Sequence, residues 1–162
     1  ALLAVNIYGI KLTDGINSLK KFKGVAKRQD LLMDEERLLL IEDFAHHPTA
    51  IETTLIGIKK AYSNRKIYAA IELRSNTMKS GFHDDRLINV CSLVDKVFWK
   101  SEDKDQAKRL VEVLPDKSSQ IINIENFIDE FKQINRKGDV LVVMSNGNFD
   151  NLSRLLMNEF KK

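Results

Sequence analysis

The sequence predicts an α/β protein: a Rossmann-like, three-layer domain with a mainly parallel sheet and helices on both faces, preceded by a short hairpin and a helical lead-in. Two observations lead to this prediction. From residue 37 onward, strand-like and helix-like patterns alternate, which is typical of right-handed β–α–β units. Residues 67–71 and 140–144 are apolar throughout, as expected of central strands that are covered on both sides.

Composition and charge narrow the class of protein. A chain of 162 residues with 43% hydrophobic and 30% charged residues is long enough to bury one core and has no sign of disorder. The formal charge of +3 is small and no basic stripe with interleaved aromatic residues stands out, so we expect no nucleic-acid binding. The apolar stretches are strand-sized and no leader pattern begins the sequence, so we expect a cytoplasmic protein without membrane insertion.

The first 22 residues are predicted to be helical and to stand apart from the main domain. Their apolar residues recur at helical intervals, with an interruption near Gly9. We therefore predict two parts, a helical segment at 1–22 and a domain at 23–162. The domain begins with strands at 29–33 and 37–41, which are predicted to form a hairpin because a short acidic run separates them.

A helix is predicted after the strand at 37–41. Pro48 fits its first turn, where no N–H donor is needed. Apolar residues then recur at the three-to-four spacing of a helix with one buried face, at Ile51, Leu55, Ile58 and Tyr62. The remaining predicted elements are, in order, a strand at 66–73, a helix at 84–94, a strand at 96–99, a helix at 104–114, a strand at 120–124, a helix at 125–134, a strand at 139–144 and a helix at 151–160.

Three polar clusters each follow a predicted strand and precede a predicted helix. They are residues 43–47, 74–79 and 145–148. Because ligands bind at the carboxyl edge of the strands in doubly wound sheets, all three clusters are expected to face one crevice. The sequence therefore predicts a functional site at this edge.

Several of these side chains have a purely structural alternative. Asp43 could cap the helix that begins near Pro48, although five residues is a long reach for a cap. Of the adjacent His46 and His47, one could cap the helix and the other pack beside it. Neither an HExxH spacing nor a cysteine partner is present, so no metal site is predicted. Cys91 is interpreted as an inert buried thiol.

Four blocks of the sequence occur in the order typical of one enzyme family. They are Phe-Lys-Gly-Val-Ala-Lys-Arg-Gln at 22–29, Asp-Phe-Ala-His-His-Pro-Thr-Ala-Ile at 43–51, Leu-Arg-Ser-Asn-Thr-Met-Lys at 73–79 and Val-Met-Ser-Asn-Gly at 143–147. Over residues 20–162 the chain resembles the C-terminal domain of the Mur ligases, and within them the murein peptide ligases of cell-wall recycling. The Arg-Ser-Asn-Thr-Met string is the block that separates this branch from the ligases that add alanine to muramate.

The resemblance implies a nucleotide-binding role for the first cluster. The residue that matches Asp43 accepts hydrogen bonds from the ribose hydroxyls of ATP in Mur ligases, and the residue that matches Arg28 contacts the nucleotide. His46 is expected near the phosphates as an electrostatic catalytic residue, where it holds developing negative charge. His47 is expected in the same nucleotide site. Lys27 stands where another arginine is common, which keeps the charge and loses the planar fork.

The second and third clusters are expected to bind the peptide substrate. The matching residues are Arg74, Ser75, Asn76, Thr77, Ser145 and Asn146. By resemblance, the turn that begins at Arg74 has the form used for a tripeptide ending in meso-diaminopimelate. Leu73 stands where the family usually has proline. Residues 148–151 replace a more glycine-rich stretch, which leaves a phosphate-binding role of that loop open.

No phosphate-binding loop of the form Gly-x-x-x-x-Gly-Lys-Ser/Thr occurs in the sequence. In Mur ligases the phosphate loop, the magnesium ligands and the sugar-nucleotide site lie in two upstream domains. The resemblance therefore implies that this chain is the third domain of the enzyme and is inactive alone. It also implies ATP and Mg2+ as cofactors, with Mg2+ bound mainly by the central domain.

The resemblance thus implies an ATP-dependent ligase that joins L-alanyl-γ-D-glutamyl-meso-diaminopimelate to UDP-N-acetylmuramate in peptidoglycan recycling. The expected partners are these two substrates and the N-terminal and central domains of the same chain. Two alternatives remain open. One is a domain of a UDP-N-acetylmuramate–L-alanine ligase, and the other is a non-catalytic Rossmann-like nucleotide-binding module.

Overall fold

The computed structural model describes residues 2–22, 24–74 and 83–161. Its strands are β1 Asp30–Glu35, β2 Leu38–Asp43, β3 Ile67–Leu73, β4 Lys96–Ser101, β5 Ser118–Gln120 and β6 Val140–Met144. Its α-helices are α1 Leu2–Ile7, α2 Leu12–Leu19, α3 Pro48–Ala61, α4 Asp84–Val90, α5 Lys104–Val113, α6 Ile124–Ile134 and α7 Leu152–Phe160, with a 3-10 turn at Phe149–Asn151 before α7.

The strands form one sheet in the order β1-β2-β6-β3-β4-β5. The first pair, β1 and β2, is the antiparallel hairpin that the sequence predicted, and the other neighbours are parallel. The two fully apolar strands, β3 and β6, lie side by side in the middle of the sheet. The prediction of a mainly parallel α/β sheet is therefore confirmed.

Helices cover both faces of the sheet and create two cores. On β3, Ile67, Ala69 and Ile71 point into one core with the buried residues of α3, α4 and α5. Tyr68 and Ala70 point into the other core with those of α6 and α7. Since successive strand residues alternate between faces, an unbroken apolar strand supplies both cores, and the three layers follow from this pattern.

Two predicted elements of the main domain differ from the structure by more than two residues at one end. The strand predicted at 120–124 is wrong: β5 ends at Gln120 and α6 begins at Ile124. The reason is a helix cap, because the Asn123 side chain accepts a hydrogen bond from Asn126 N at 3.0 Å. The helix predicted at 84–94 ends at Val90, and turns then carry the chain to Asp95, whose N–H donates to the Ile67 carbonyl at the start of β3 at 2.8 Å.

Helices α1 and α2 pack on each other and bury no residue completely. Leu3, Ile7 and Tyr8 are more than four-fifths exposed. Along the described ranges, no helix is both long enough and apolar enough to cross a membrane.

Candidate functional site

The carboxyl ends of β2, β6 and β3 lie next to one another in the sheet. Met144, the last residue of β6, stands opposite Asp43 of β2 on one side and Ile71 of β3 on the other. The cluster at 43–47, the loop at 145–148 and Arg74 therefore meet at one edge, as the sequence predicted. Ser75, Asn76 and Thr77 lie outside the described residues.

A cavity of about 540 Å³ opens beside the first cluster. Its lining residues are Arg28, Gln29, Asp43, Phe44, Ala45, His46, His47, Thr49, Ala50, Thr53 and Thr54. The predicted nucleotide-binding residues thus share one cavity. Arg28 and His47 are exposed, His46 is half-buried, and Asp43 is buried.

Asp43 organises this cavity through the main chain. Its carboxylate is 5% exposed and accepts hydrogen bonds from Ala45 N at 2.7 Å and from Gln29 N at 2.9 Å. The cap alternative for Asp43 is wrong, because the N-cap residue of α3 is His47 and no side chain caps that helix. Asp43 instead links the segment before β1 to the turn after β2.

The N-terminus of α3 forms part of the cavity wall. Pro48 takes the first helical position, as predicted, and the first i-to-i−4 bond runs from Ile51 N to the His47 carbonyl at 2.9 Å. Main-chain N–H groups at the start of a helix that lack a side-chain cap are donors for an anionic ligand. Thr49 and Ala50, both in the cavity wall, carry such groups.

The two adjacent histidines have different neighbours. His46 Nδ1 lies 3.0 Å from the Phe44 carbonyl oxygen. A carbonyl only accepts, so this contact is a hydrogen bond when the proton is on Nδ1, and Nε2 is then the nitrogen left for a ligand. The His47 ring meets the His83 ring edge to face at 4.9 Å. Among the described residues, no group of three or more His, Cys, Asp or Glu side chains could hold a metal ion.

The loop after β6 is held by Ser145 and by a carboxylate that the sequence analysis missed. Ser145 N donates to the Asp43 carbonyl at 3.1 Å, and its Oγ donates to Glu72 Oε2. The same Oγ accepts a hydrogen bond from Gly147 N at 2.8 Å. Glu72 is 9% exposed near the end of β3. The available signal was a single acidic residue inside an otherwise apolar strand.

Two further features of this loop concern ligand binding. The side-chain oxygen of Asn146 is buried and has no hydrogen-bond partner among the described residues. Lys27 lies in the segment before β1. Its Nζ donates a hydrogen bond to the Gly147 carbonyl at 3.0 Å. In the sequence Lys27 is notable only as a lysine where relatives often have arginine, and the structure brings it to the loop after β6.

The segment before α7 has an unusual backbone. Phe149, Asp150 and Asn151 have φ angles of 43°, 48° and 59°, in the left-handed region. Asparagine and aspartate tolerate this region better than most residues, although glycine is the usual occupant. Lys100 at the end of β4 pairs with Asp150. Because Asn151 still has a left-handed backbone, helix α7 begins at Leu152, one residue later than predicted.

The candidate site lies in the segment that matches a known family. The family model for "Mur ligase, glutamate ligase domain" matches residues 27–147. The chain belongs to the Mur ligase family. It is 30% identical over 165 residues to UDP-N-acetylmuramate–L-alanyl-γ-D-glutamyl-meso-2,6-diaminoheptandioate ligase of Escherichia coli, and this match covers 100% of the chain and 36% of that protein.

Two other Mur ligases extend the comparison. UDP-N-acetylmuramate–L-alanine ligase of Brachyspira hyodysenteriae is 30% identical over 169 residues, which cover 94% of this chain and 35% of that protein. The crystal structure of a murein peptide ligase from Psychrobacter arcticus matches with a TM-score of 0.72 at 33% identity, over 97% of this chain and 34% of that one. This Mur ligase C-terminal domain thus spans about a third of the length of its relatives.

Proposed function

We propose that this chain is the C-terminal domain of an ATP-dependent ligase that joins L-alanyl-γ-D-glutamyl-meso-diaminopimelate to UDP-N-acetylmuramate in peptidoglycan recycling. The observation that carries the proposal is the convergence of the nucleotide-type residues Asp43 and His46 with Arg74 at one edge of the sheet. The relatives named for the tripeptide reaction support it.

The cavity beside Asp43 suits the sugar and phosphates of a nucleotide. Each carboxylate oxygen of Asp43 accepts one main-chain bond and keeps a second lone pair, which a ribose hydroxyl can use. The uncapped N-terminus of α3 and the Arg28 guanidinium supply N–H donors and positive charge for phosphate oxygens, and His46 Nε2 adds a donor when both ring nitrogens carry a proton. In the proposed role, His46 stabilises negative charge on the phosphates, and His47 lies beside His46 at the rim of the cavity.

ATP would supply the activation: its terminal phosphoryl group would pass to the muramate carboxylate with release of ADP, and the alanine amine of the tripeptide would then displace phosphate to form the amide. This domain binds the nucleotide through Asp43 and Arg28 and orients the peptide. Its closure over the central domain excludes water, because hydrolysis of the acyl phosphate would waste ATP. Mg2+ is bound mainly by the central domain.

The peptide side of the site is assigned to the ends of β3 and β6. Arg74 is exposed, and its planar fork suits a carboxylate. Ser145 and Asn146 lie in the neighbouring loop, where Asn146 Oδ1 is a buried acceptor without a donor among the described residues. Ser75, Asn76 and Thr77 belong to the same proposed peptide site by family resemblance.

The helical segment at 1–22 is proposed to belong to the preceding central domain, and 23–162 to the C-terminal domain. The apolar side chains that α1 and α2 expose support this division, since another domain would bury them. We expect no ATP turnover by residues 1–162 alone, because the sequence has no phosphate-binding loop. Phosphate release by the isolated chain would overturn this part of the proposal.

A UDP-N-acetylmuramate–L-alanine ligase is the second candidate, favoured by the Brachyspira relative at the same 30% identity. ATP-dependent phosphate release by the full-length protein distinguishes the two. The assay contains UDP-N-acetylmuramate and either the tripeptide or L-alanine. Release that requires the tripeptide supports the recycling ligase. Release with L-alanine alone assigns the second candidate, and release with neither favours the non-catalytic nucleotide-binding module.

A further inference from the structure

Two cations from distant parts of the sequence meet at Gly147. Lys27 precedes β1 and holds the Gly147 carbonyl through Nζ at 3.0 Å. Arg74 follows β3, and its side chain lies against the α-carbon of the same glycine. A β-carbon built on Gly147 would stand 2.5 Å from Arg74 Nη1, 3.1 Å from Cζ and 3.2 Å from Cδ. Arg74 can therefore occupy this position only while residue 147 has no side chain.

The backbone does not require glycine at this position. Gly9, Gly24 and Gly138 have φ angles in the left-handed region, where a side chain is strained, and Gly147 is not among them. An alanine at 147 would keep the chain path and fill the space that Arg74 occupies. A side chain at 147 would thus displace the Arg74 guanidinium rather than the main chain.

The two cations are not neutralised by an acid in the part of the chain that the structure describes. The ion pairs found there include Lys100 with Asp150 and Lys137 with Glu36, and none involves Lys27 or Arg74. Because both side chains contact Gly147, an anion bound beside this residue would be attracted to both positive charges. The arrangement is therefore prepared for an anionic group.

The anion is best matched by a carboxylate. Arg74 offers a planar pair of N–H donors that fits two carboxylate oxygens, and Lys27, whose Nζ contacts the Gly147 carbonyl, adds a point charge. The proposed phosphate site has a separate set of donors, at Arg28 and the start of α3.

We propose that Gly147 is a positioning residue that fixes Arg74, and that Arg74 and Lys27 together bind a carboxylate of the peptide substrate. This inference rests on the proposed function for the identity of the substrate. The contact of the Arg74 side chain with Gly147 does not depend on the proposed function.

The first test is steady-state kinetics of the full-length protein with Gly147→Ala. We expect the KM for the tripeptide to rise about 10- to 100-fold, the loss typical of a displaced charge-assisted hydrogen bond, with kcat and the KM for ATP within about twofold. Gly57→Ala is the matched control, because Gly57 is exposed on α3 and its added β-carbon would meet only Gln29 Nε2 at 4.0 Å. An unchanged tripeptide KM in Gly147→Ala overturns the proposal.

A double-variant cycle tests whether Gly147 acts through Arg74. In an Arg74→Ala background, Gly147→Ala should raise the tripeptide KM no further. Fold-changes that multiply would contradict a role through Arg74. Lys27→Met should raise the tripeptide KM by a smaller factor. A rise in the KM for ATP instead would assign the anion to the nucleotide and overturn the carboxylate assignment.

A structural readout separates failure of this inference from failure of the proposed function. If the wild-type protein uses neither acceptor, the proposed function has failed. Crystal structures of the full-length wild type and of Gly147→Ala then test only the contact between Arg74 and residue 147. Displacement of the Arg74 guanidinium from residue 147 supports the positioning role, and an unmoved guanidinium overturns it. Unfolding in urea confirms that the variant is folded.

Discussion

The two edges of the sheet each contain an aspartate that is 5% exposed, Asp43 at the carboxyl edge and Asp139 at the amino edge. Both carboxylates accept main-chain hydrogen bonds: Asp43 from Gln29 and Ala45, and Asp139 from Arg136 N at 2.8 Å. A buried acid that satisfies backbone donors is therefore not a mark of the functional edge, because both edges have one.

Lysines at the two edges have different partners. At the amino edge, Lys137 pairs with Glu36, and the Gly138 N–H donates to the Glu36 carbonyl at 2.9 Å. At the carboxyl edge, Lys27 and Arg74 have no acidic partner in the described part of the chain. The carboxyl edge differs from the amino edge in the uncapped start of α3 and in the convergence of Lys27 and Arg74 on Gly147. The comparison teaches that donors gathered at one place, more than a buried acid, set apart the edge where we propose that substrate binds.

The largest expected effect is that of Asp43→Ala, which should affect both stability and function. It leaves two main-chain N–H groups without their acceptor, and we expect the free energy of unfolding to fall by about 3 kcal/mol. Urea unfolding of the chain measures this loss. In the full-length protein the KM for ATP should rise as well. If Asp43→Ala is as stable as the wild type, this carboxylate does not link the segment before β1 to the turn after β2.

Arg74→Ala should separate function from stability at the carboxyl edge. The exposed guanidinium contributes little to folding, so the free energy of unfolding should change by less than about 0.5 kcal/mol. Tripeptide affinity of the full-length protein should fall about 10- to 100-fold, with ATP affinity little changed. Calorimetric titration with each ligand measures both values. The opposite pattern would move Arg74 to the nucleotide site.

Asp139→Ala is the matching change at the amino edge and should affect stability alone. We expect the free energy of unfolding to fall by about 1.5 kcal/mol, because Arg136 N loses its acceptor. The kcat and both KM values should stay at wild-type levels. Burial first, and the negative charge of Asp139 next, raise the pKa of Tyr68. Ultraviolet titration should find this pKa lower in Asp139→Ala. A kinetic defect would contradict the contrast between the edges.

The smallest effect concerns Cys91, which is buried in the core between the sheet and α3, α4 and α5. Burial raises the pKa of its thiol from 9.0 to about 11. The fold favours the neutral thiol, so its stabilising contribution is complete below pH 9 and is lost as the pH rises from 9 to 11. Unfolding free energies measured across this range should fall more steeply for the wild type than for Cys91→Ala. Parallel curves would mean that burial has not raised the pKa of the thiol.

Much of the site could be predicted because the positions and ends of the strands follow from local patterns. The apolar runs of β3 and β6 identified the central strands, and polar residues after each strand had to meet at one edge. The strand predicted at 120–124 was wrong because a short apolar run does not distinguish an edge strand from the start of a helix. The Asn123 cap decides that difference.

The sequence by itself determined the α/β class, the hairpin, most of the element boundaries and the family, since periodicity and motif order are local properties of the chain. Only the tertiary structure decided that Asp43 binds Gln29 N, that Glu72 holds Ser145, and that Lys27 and Arg74 meet at Gly147. These contacts join residues that are distant along the chain. Their partners depend on which strands become neighbours, and a single sequence does not encode that in any local pattern.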